Sequence, residues 1–398
     1  MRICLASIHP RILSGQIESL IALRAGLEAL GHSVRVVSAF DPQHLRDERR
    51  WQGEYGDALA LAPKVVRIGR IVGSIASAAR DSDVLHFNVP TPSFALLADL
   101  VQLATRRPVV VGFEAHLADV PAVAKRLRAA PEFYAPRLLV NNGLVASMTM
   151  RRGARYVVSS ELQRRELTSL GYQTSRVSII PNLIDEAKLH HWSRDEARDS
   201  LGLPDGPVVA FVGHYHDVKG HDVLIDAFAD VLREVPEARL VLAWSGLGKQ
   251  ARMRQSVERA GVASHVIELG RLDVAQLFAA ADVVALPYRF TIGQAAYPGT
   301  VIEAMWAGVP LVTSDLPLLA ELTGGGQTAL LAAPGEPHDL ARQIVRLLRE
   351  PVLAASIVEA QRRAMAARFN PQQLVQEYVE IYEHAVTRQA SLLQPARR

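Results

Sequence analysis

The chain of 398 residues has little of what marks secreted or membrane-embedded proteins. It holds a single cysteine, Cys4, so no disulfide can form within the chain and a metal site built from several cysteines is excluded. One cysteine also favours a reducing compartment. No apolar run reaches the roughly 18 residues that a membrane-spanning helix needs. The first apolar run begins at Arg2, which leaves no room for a signal peptide. We therefore expect a cytoplasmic protein.

The sequence also lacks the short motifs of several enzyme classes. It contains neither a GxSxG serine-nucleophile motif nor a GxxxxGK[ST] phosphate-binding loop. A GxGxxA string starts at Gly246, but it does not follow the first strand of its unit, which disfavours a dinucleotide site. His214, His216, Asp217 and His221 lie close together, yet their spacing matches no known metal site. We expect no bound metal.

Charge is divided unevenly along the chain. Residues 1–180 hold 23 Lys and Arg against 15 Asp and Glu, and residues 181–398 hold 21 against 26. A basic first half favours an anionic acceptor or contact with an anionic membrane surface. The arginines are scattered along helix faces, however, which favours an ordinary solvated surface. No nucleic-acid-binding motif is present, so nucleic acid is not expected as a partner.

Short apolar runs alternate with segments of helical spacing. The run Arg2–Ser7 precedes leucines at helical spacing, and a second run follows at Val34–Val37. The alternation continues to Ile180, breaks at Pro181-Asn182 and restarts at Val208. This pattern predicts an α/β chain of two Rossmann-like parallel-sheet domains, residues 1–182 and 183–370, which face a central cleft. A long helix is predicted over 371–390, followed by a tail at 391–398.

Several residues are predicted at the strand ends where open α/β sheets bind ligands. A histidine at such an end is as often structural as functional, and a loop lysine is often only solvated. These candidates gain weight because they share one predicted rim: Gly15, His86, His116, Gly213 and Lys219.

The stretch from Gln294 to Pro310, QAAYPGTVIEAMWAGVP, is the most informative. It predicts a turn at Pro298-Gly299 and a short helix that Thr300 caps. The free amides at the start of such a helix suit a phosphate. Glu303 either holds a ribose or sugar hydroxyl or only completes a capping box with Thr300.

Taken in order, these motifs resemble the retaining family-4 glycosyltransferases of GT-B fold, over nearly the whole chain. The resemblance rests on ordered short motifs, of which the last is the most specific: Ser14-Gly15, Gly31-His32-Ser-Val34, Asp83-Val-Leu-His86, Val109-Val-Val with His116, Ser159-Ser-Glu161, Ile180-Pro-Asn182-Leu-Ile-Asp185, Phe211-Val-Gly213, Lys219-Gly220, Leu286-Pro287 and Val301-Ile-Glu303-Ala-Met-Trp-Ala-Gly308-Val-Pro310.

The resemblance implies a donor site formed mostly by the second domain, with the final helix crossing back to the first. Lys219 would pair with the diphosphate, Glu303 would bind the ribose hydroxyls, and His116 would contact the donor sugar near its reacting carbon. His116 and Lys219 are the implied catalytic residues. The implied donor-binding residues are Ser14, Gly15, Gly213, His214, Lys219, Gln294, Gly299, Thr300, Val301 and Glu303.

Two positions depart from the family pattern. The family's first glutamate, eight residues before Glu303, falls on Ala295, and the neighbouring Gln294 offers a hydrogen bond without a charge. His214 stands after Gly213, where an arginine is usual, and histidine binds phosphate best when protonated. Donor identity and catalytic strength therefore stay open. The alternative hypothesis is a catalytically weak or inactive GT-B protein that binds a nucleotide or a partner.

The resemblance implies a metal-independent, retaining hexosyltransferase without a cofactor. Its donor would be a nucleotide-diphosphate sugar, with a UDP-sugar favoured. Its acceptor would be a hydroxyl of a glycan, a lipid-linked sugar or a small molecule. Weak peripheral contact with the inner face of a membrane, through the basic N-terminal half, stays open. A nicotinamide oxidoreductase is a distant further alternative.

Overall fold

The computed structural model describes residues 1–7, 15–38, 64–89, 95–113, 155–184, 192–215, 217–248, 250–290 and 297–393. Strands and helices alternate along these residues, which divide into two compact units. Unit 1 contains the described residues up to Leu183 and the helix that begins at Pro371. Unit 2 contains the described residues between Ile184 and Asn370.

Unit 1 is built on a parallel sheet of six described strands, in the order β2-β1-β3-β4-β5-β6. The strands are β1 Arg2–Ser7, β2 Ser33–Ser38, β3 Val84–Val89, β4 Val109–Phe113, β5 Arg155–Val158 and β6 Val177–Ile179. The described helices are α1 Gly15–Ala29, α2 Lys64–Arg80, α3 Ala95–Thr105, α4 Glu161–Ser169 and, from the end of the chain, α13 Pro371–Leu393.

Unit 2 repeats this plan with its own six-stranded parallel sheet, in the order β12-β11-β10-β7-β8-β9. The strands are β7 Val208–Tyr215, β8 Arg239–Gly248, β9 Val266–Leu269, β10 Val283–Leu286, β11 Leu311–Ser314 and β12 Leu330–Ala332. The helices are α5 Arg194–Leu201, α6 His221–Glu234, α7 Gln250–Arg259, α8 Val274–Ala280, α9 Gly299–Ala307, α10 Pro317–Leu322, α11 Pro337–Arg349 and α12 Pro351–Arg368.

Apolar side chains explain why these runs form central strands. Strands of a parallel sheet are covered on both faces and therefore read as nearly continuous apolar runs. Every residue of β10 is buried, as is every residue of β4. The two parallel sheets confirm the predicted α/β fold class.

The strand orders locate the point in each sheet where the winding reverses. In unit 2 the chain moves outward from β7 to β8 and β9, and then returns to place β10 on the other side of β7. The carboxyl ends of β7 and β10 therefore flank a crevice, which is where ligands of doubly wound sheets bind. In unit 1 the corresponding point lies between β1 and β3.

The C-terminal helix α13 completes the core of unit 1. Its residues Leu374, Val375 and Tyr382 are buried in one cluster with Leu23 of α1 and Val110 of β4. Burying apolar side chains in this way is the main stabilising contribution to such a core.

Gly26 marks the closest approach of α1 to α13. A Cβ atom on Gly26 would lie 2.5 Å from Cγ2 of Val375. That distance is too short for the two groups to coexist without movement, so the absence of a side chain allows the two helices to pack.

Some elements differ from the sequence prediction. α5 was not predicted, although Ser193 and Glu196 form a capping box at its start. α13 continues to Leu393, three residues beyond the predicted end at Ala390. No helix in the described part of the chain has the length and apolar character needed to cross a bilayer.

Candidate functional site

Unit 2 gathers candidate residues where β7 and β10 end. The pairing of β7 with β8 shifts register between Gly213 and Tyr215, so His214 lies in an irregular stretch of the strand pair. Such irregularities re-aim side chains at sheet edges. His214 is half-buried. A 3₁₀ turn at Asp217–Lys219 then leads into α6.

Backbone conformation and close packing both require a glycine at position 220, directly after Lys219. The φ of Gly220 is +68°, in the left-handed region that glycine adopts without strain. A Cβ atom here would lie 1.8 Å from the carbonyl oxygen of Pro287, the residue after β10. In addition, the Arg289 amide donates to the Val218 carbonyl at 2.9 Å. The turn after β7 is therefore held directly against the segment after β10.

The Lys219 side chain lies on a tyrosine that this segment supplies. Its Nζ donates to the Tyr288 hydroxyl at 3.2 Å and lies 4.5 Å from the centre of the ring. Tyr288 is buried, with 1% exposure. The neighbouring Arg289 donates from Nη2 to Oδ2 of Asp222, in the first turn of α6, at 2.7 Å. Tyr288 and Arg289 were not among the predicted candidates, although Leu286-Pro287 marked the strand end that positions them.

The helix predicted to follow Pro298-Gly299 is present, but its start differs from the prediction. α9 has Pro298 as its N-cap and no capping side chain. Pro298 takes an extended conformation, with φ −60° and ψ 122°, and the helix begins at Gly299. Thr300 is therefore already inside the helix. The predicted cap by Thr300, and with it a capping box to Glu303, is wrong.

The first turn of α9 leaves amides available. The Val301 amide donates to the Pro298 carbonyl at 3.0 Å. For the amides of Gly299 and Thr300, the described residues provide no hydrogen-bond acceptor. Free amides and the positive end of the helix dipole suit an anion such as phosphate. Glu303, half-buried, follows one turn later.

A buried tyrosine anchors the approach to α9. The Tyr297 hydroxyl donates to Oε1 of Glu321 at 2.7 Å and accepts from Nη2 of Arg368 at 2.5 Å. Burial raises the pKa of Tyr297, so the phenol remains protonated and able to donate. These contacts tie the start of α9 to α10 and to the end of α12.

Unit 1 contributes fewer described candidates. Gly15 is the first residue of α1, on the carboxyl side of β1, as a phosphate-approaching glycine would be. Ser14, His116 and Gln294 lie outside the described residues, as does Ala295.

His86 is not at the rim, contrary to the prediction. It is 1% exposed inside β3, and its Nδ1 lies 2.6 Å from the Tyr382 hydroxyl on α13. Burial lowers the pKa of His86 to about 4, so the ring is neutral at ordinary pH. It links β3 to the helix that covers it.

Two motifs of unit 1 meet at the carboxyl side of its sheet. The Ser159 hydroxyl donates to Oδ1 of Asn182 at 3.0 Å. The Ser160 side chain caps α4 by accepting from the backbone N–H of Gln163. The side-chain Oε1 of Gln163 in turn accepts from the backbone N–H of Ser159 at 2.8 Å. The Ser-Ser-Glu and Pro-Asn motifs therefore support one another structurally.

Among the described residues, unit 2 brings a lysine, two helix amides with no described acceptor and a carboxylate to one edge of its sheet. Gly213 and His214 lie in the last residues of β7, and Lys219 follows the strand. α9 begins on the same side of the sheet, because it connects the end of β10 to the start of β11. A cation and helix amides can hold an anionic ligand, and the Glu303 carboxylate can accept hydrogen bonds from hydroxyl groups.

Both halves of the chain match protein-family models of glycosyltransferases. A family model described as Glycosyltransferase Family 4 matches residues 13–188, and one described as Glycosyl transferases group 1 matches residues 206–350.

Curated relatives agree with these matches. A phosphatidyl-myo-inositol mannosyltransferase of Mycobacterium leprae is 28% identical over 313 residues, 77% of this chain and 75% of that protein. A D-inositol 3-phosphate glycosyltransferase of Actinosynnema mirum is 30% identical over 291 residues, 68% of this chain and 66% of that protein. The matches span about half to three quarters of the length of the curated relatives.

Solved structures show the same fold. The structure of HepE from Anabaena in complex with UDP-glucose is similar, with a TM-score of 0.73, over 96% of this chain and 100% of that chain, at 22% sequence identity. With two parallel six-stranded sheets and a glycosyltransferase match to each half, the chain belongs to the family-4 glycosyltransferases of GT-B fold.

Proposed function

We propose that this protein transfers a hexose from a nucleotide-diphosphate sugar to an acceptor hydroxyl, with retention of anomeric configuration and without a metal ion. A UDP-sugar is the favoured donor. The acceptor is a hydroxyl of a glycan, a lipid-linked sugar or a small molecule.

The observation that carries the proposal is the position of Lys219. Its ammonium lies at the crevice between β7 and β10, on a neutral tyrosine hydroxyl, and the described residues place no carboxylate in an ion pair with it. A cation that is not neutralised by a carboxylate is suited to a diphosphate, as are the amides of Gly299 and Thr300, for which the described residues supply no acceptor.

The reaction breaks the bond between the anomeric carbon and the diphosphate oxygen, and the bonding electrons leave with the diphosphate. The sugar becomes similar to an oxocarbenium ion, and the acceptor oxygen bonds to the anomeric carbon from the same face. The acceptor proton passes to the departing phosphate oxygen. Lys219 and the α9 amides would stabilise the negative charge as it grows, which is the usual largest contribution of a fixed polar site.

The other sequence-derived roles belong to the same proposal. Glu303 would hold the ribose hydroxyls, Gly15 would offer its amide to the diphosphate, and His116 would contact the sugar near its reacting carbon. Gly213 and His214 would line the diphosphate, with Ser14 and Gln294 completing the donor contacts.

Names of similar proteins support the donor and suggest acceptors to test first. HepE was crystallised with UDP-glucose, and curated relatives are named for inositol phosphate or phosphatidylinositol. We include myo-inositol phosphate and phosphatidylinositol in the acceptor panel, beside glycans and small polyols. UDP-, GDP- and ADP-sugars form the donor panel, and release of nucleoside diphosphate is the measurement.

Replacing Lys219 tests the site directly. Lys219→Ala should lower transfer at subsaturating donor by about 10²- to 10³-fold, as does the loss of other charge-stabilising groups. Arg259→Ala is the control, because it removes a cation that is 64% exposed at the far end of α7. Near-normal turnover of Lys219→Ala would contradict the assignment.

Ala295 and His214 motivate a second candidate, a GT-B protein that binds nucleotide with little or no transfer. The donor and acceptor panels separate the two functions. Nucleotide binding without release of nucleoside diphosphate, for every donor and acceptor tried, would favour the binding protein.

Cytoplasmic placement with weak contact to an anionic membrane face completes the proposal. Sedimentation with liposomes should then require anionic lipid and weaken as salt is added. Salt-independent binding, or none, would contradict the membrane contact.

A further inference from the structure

The half-buried Lys219 is held by a tyrosine hydroxyl. Its Nζ donates to the Tyr288 hydroxyl at 3.2 Å and sits 4.5 Å from the ring centre. The hydroxyl accepts one of the three ammonium N–H bonds, and no other described residue accepts the remaining two, so they can bind a ligand. The ring face adds a favourable electrostatic contact with the cation.

Tyr288 is itself fixed in relation to the turn that bears Lys219. It is 1% exposed and follows Pro287, whose carbonyl oxygen occupies the space that a Cβ atom on Gly220 would need. On the other side, the Arg289 amide donates to the Val218 carbonyl at 2.9 Å. The tyrosine and the lysine turn are therefore parts of one closely packed, hydrogen-bonded assembly.

A side-chain ion pair closes the assembly beyond Tyr288. Arg289 donates to Asp222 at 2.7 Å, and both side chains are about one-third exposed. The carboxylate of Asp222 is thus engaged with Arg289 while Lys219 is bound by a neutral phenol. This pairing leaves the charge of Lys219 available to an anion.

We propose that Tyr288 is a positioning residue that orients the ammonium of Lys219 for the diphosphate of the donor. The inference rests on the proposed function, since it assigns a role within that donor site. A flexible lysine side chain must lose freedom when it binds phosphate, and a partner that already holds the ammonium lowers that loss. A phenol does so without neutralising the cation, whereas a carboxylate would compete with the phosphate.

The test compares diphosphate with monophosphate binding. Calorimetry is performed with UDP and UMP, or with the guanosine or adenosine pair if one of those diphosphates binds more tightly. Tyr288→Phe keeps the ring and its packing but removes the hydroxyl. It should raise the Kd of the diphosphate about 3- to 10-fold, the effect of one ordinary hydrogen bond, and raise that of the monophosphate less.

A double-mutant cycle shows whether Tyr288 acts through Lys219. Lys219→Met removes the cation, so adding Tyr288→Phe to it should change the diphosphate Kd by less than about twofold. Tyr215→Phe is the matched control, because this buried tyrosine in the same unit loses a hydroxyl bonded to the Leu242 carbonyl at 3.3 Å. Its diphosphate Kd should match that of the wild type.

The outcomes separate this inference from the proposed function. If Lys219→Met weakens diphosphate binding and Tyr288→Phe does not, the positioning role is overturned and the donor site stands. The positioning role is also overturned if Tyr288→Phe weakens diphosphate and monophosphate binding equally. The same holds if it weakens diphosphate binding equally in the wild-type and Lys219→Met backgrounds. If the wild type binds no nucleoside diphosphate, the proposed function and this inference both fail.

Discussion

Each unit contains a basic side chain bound to a tyrosine hydroxyl, and the two pairs have opposite electrostatic characters. In unit 1, His86 lies 2.6 Å from the Tyr382 hydroxyl and both residues are fully buried. In unit 2, the half-buried Lys219 lies 3.2 Å from the hydroxyl of Tyr288, whose ring is buried beneath it.

Burial decides what each pair can do. A buried imidazole without a counter-charge is more stable as the neutral form, and the pKa of His86 is lowered to about 4 accordingly. Such a pair can join a strand to a helix but offers no charge to a ligand. Lys219 keeps access to solvent, so the same type of tyrosine contact orients a cation at a ligand crevice.

Gly220→Ala should produce the largest change, because it breaks the assembly around Lys219. Left-handed backbone costs alanine about 1–2 kcal/mol. The contact with the Pro287 carbonyl, 1.8 Å from the new Cβ, adds about 1–3 kcal/mol of overpacking. Urea unfolding should show a free energy of unfolding lowered by the sum of these two costs, and calorimetry should show weaker binding of nucleoside diphosphate.

Gly261→Ala separates strain from contact. Gly261 has φ +70°, close to the +68° of Gly220, but a Cβ there would meet nothing within 4 Å. Gly261→Ala should therefore lower the free energy of unfolding by only about 1–2 kcal/mol and leave nucleotide binding unchanged. Equal losses in the two variants would show that the Pro287 contact is unimportant.

The next largest effect is expected in the pH dependence of the free energy of unfolding, through the titration of His86. Its pKa is about 4 in the folded chain, against an ordinary 6.5. Between these values the unfolded chain binds a proton that the folded chain does not, so stability falls as pH decreases through this window. Urea unfolding at pH 7 and pH 4.5 should show that His86→Gln removes about 2 kcal/mol of this decrease.

Tyr382→Phe is the companion to this measurement. It keeps the histidine but removes its hydrogen bond, so it should lower stability by about 1 kcal/mol at both pH values. The decrease between them should remain. A wild type and His86→Gln variant with the same pH dependence would contradict the assignment of a neutral buried histidine.

Local pattern was enough to predict most elements of the fold. β1 has the predicted bounds, and β2 extends the predicted Val34–Val37 by one residue at each end, because each is an apolar run between turn residues. The stretch between β11 and α11 gave no prediction, and it contains the six-residue α10 and the three-residue β12. Elements of that length contain too few residues for the spacing of apolar side chains to indicate a helix or a strand.

The site was less predictable because it depends on which strands are neighbours. Lys219-Gly220 was visible as a strand-to-helix turn, but its contact with Tyr288 joins positions 69 residues apart. Only the return of the chain to place β10 beside β7 brings them together. His86 illustrates the same limit, since the sequence predicted the C-terminal helix but not the contact by which Tyr382 of that helix buries the histidine.

The smallest expected effect concerns the packing that buries His86, where α1 and α13 meet at Gly26. Replacing a glycine inside a helix with alanine normally stabilises it by about 0.5–1 kcal/mol. Here the new Cβ would lie 2.5 Å from Cγ2 of Val375, an overlap that costs about 1–3 kcal/mol. Gly26→Ala should therefore destabilise the wild type by roughly 1 kcal/mol, the difference between these terms. In a Val375→Ala background the overlap is gone, so the same substitution should become stabilising in urea unfolding. The same sign in both backgrounds would show that α13 does not approach α1 at this glycine.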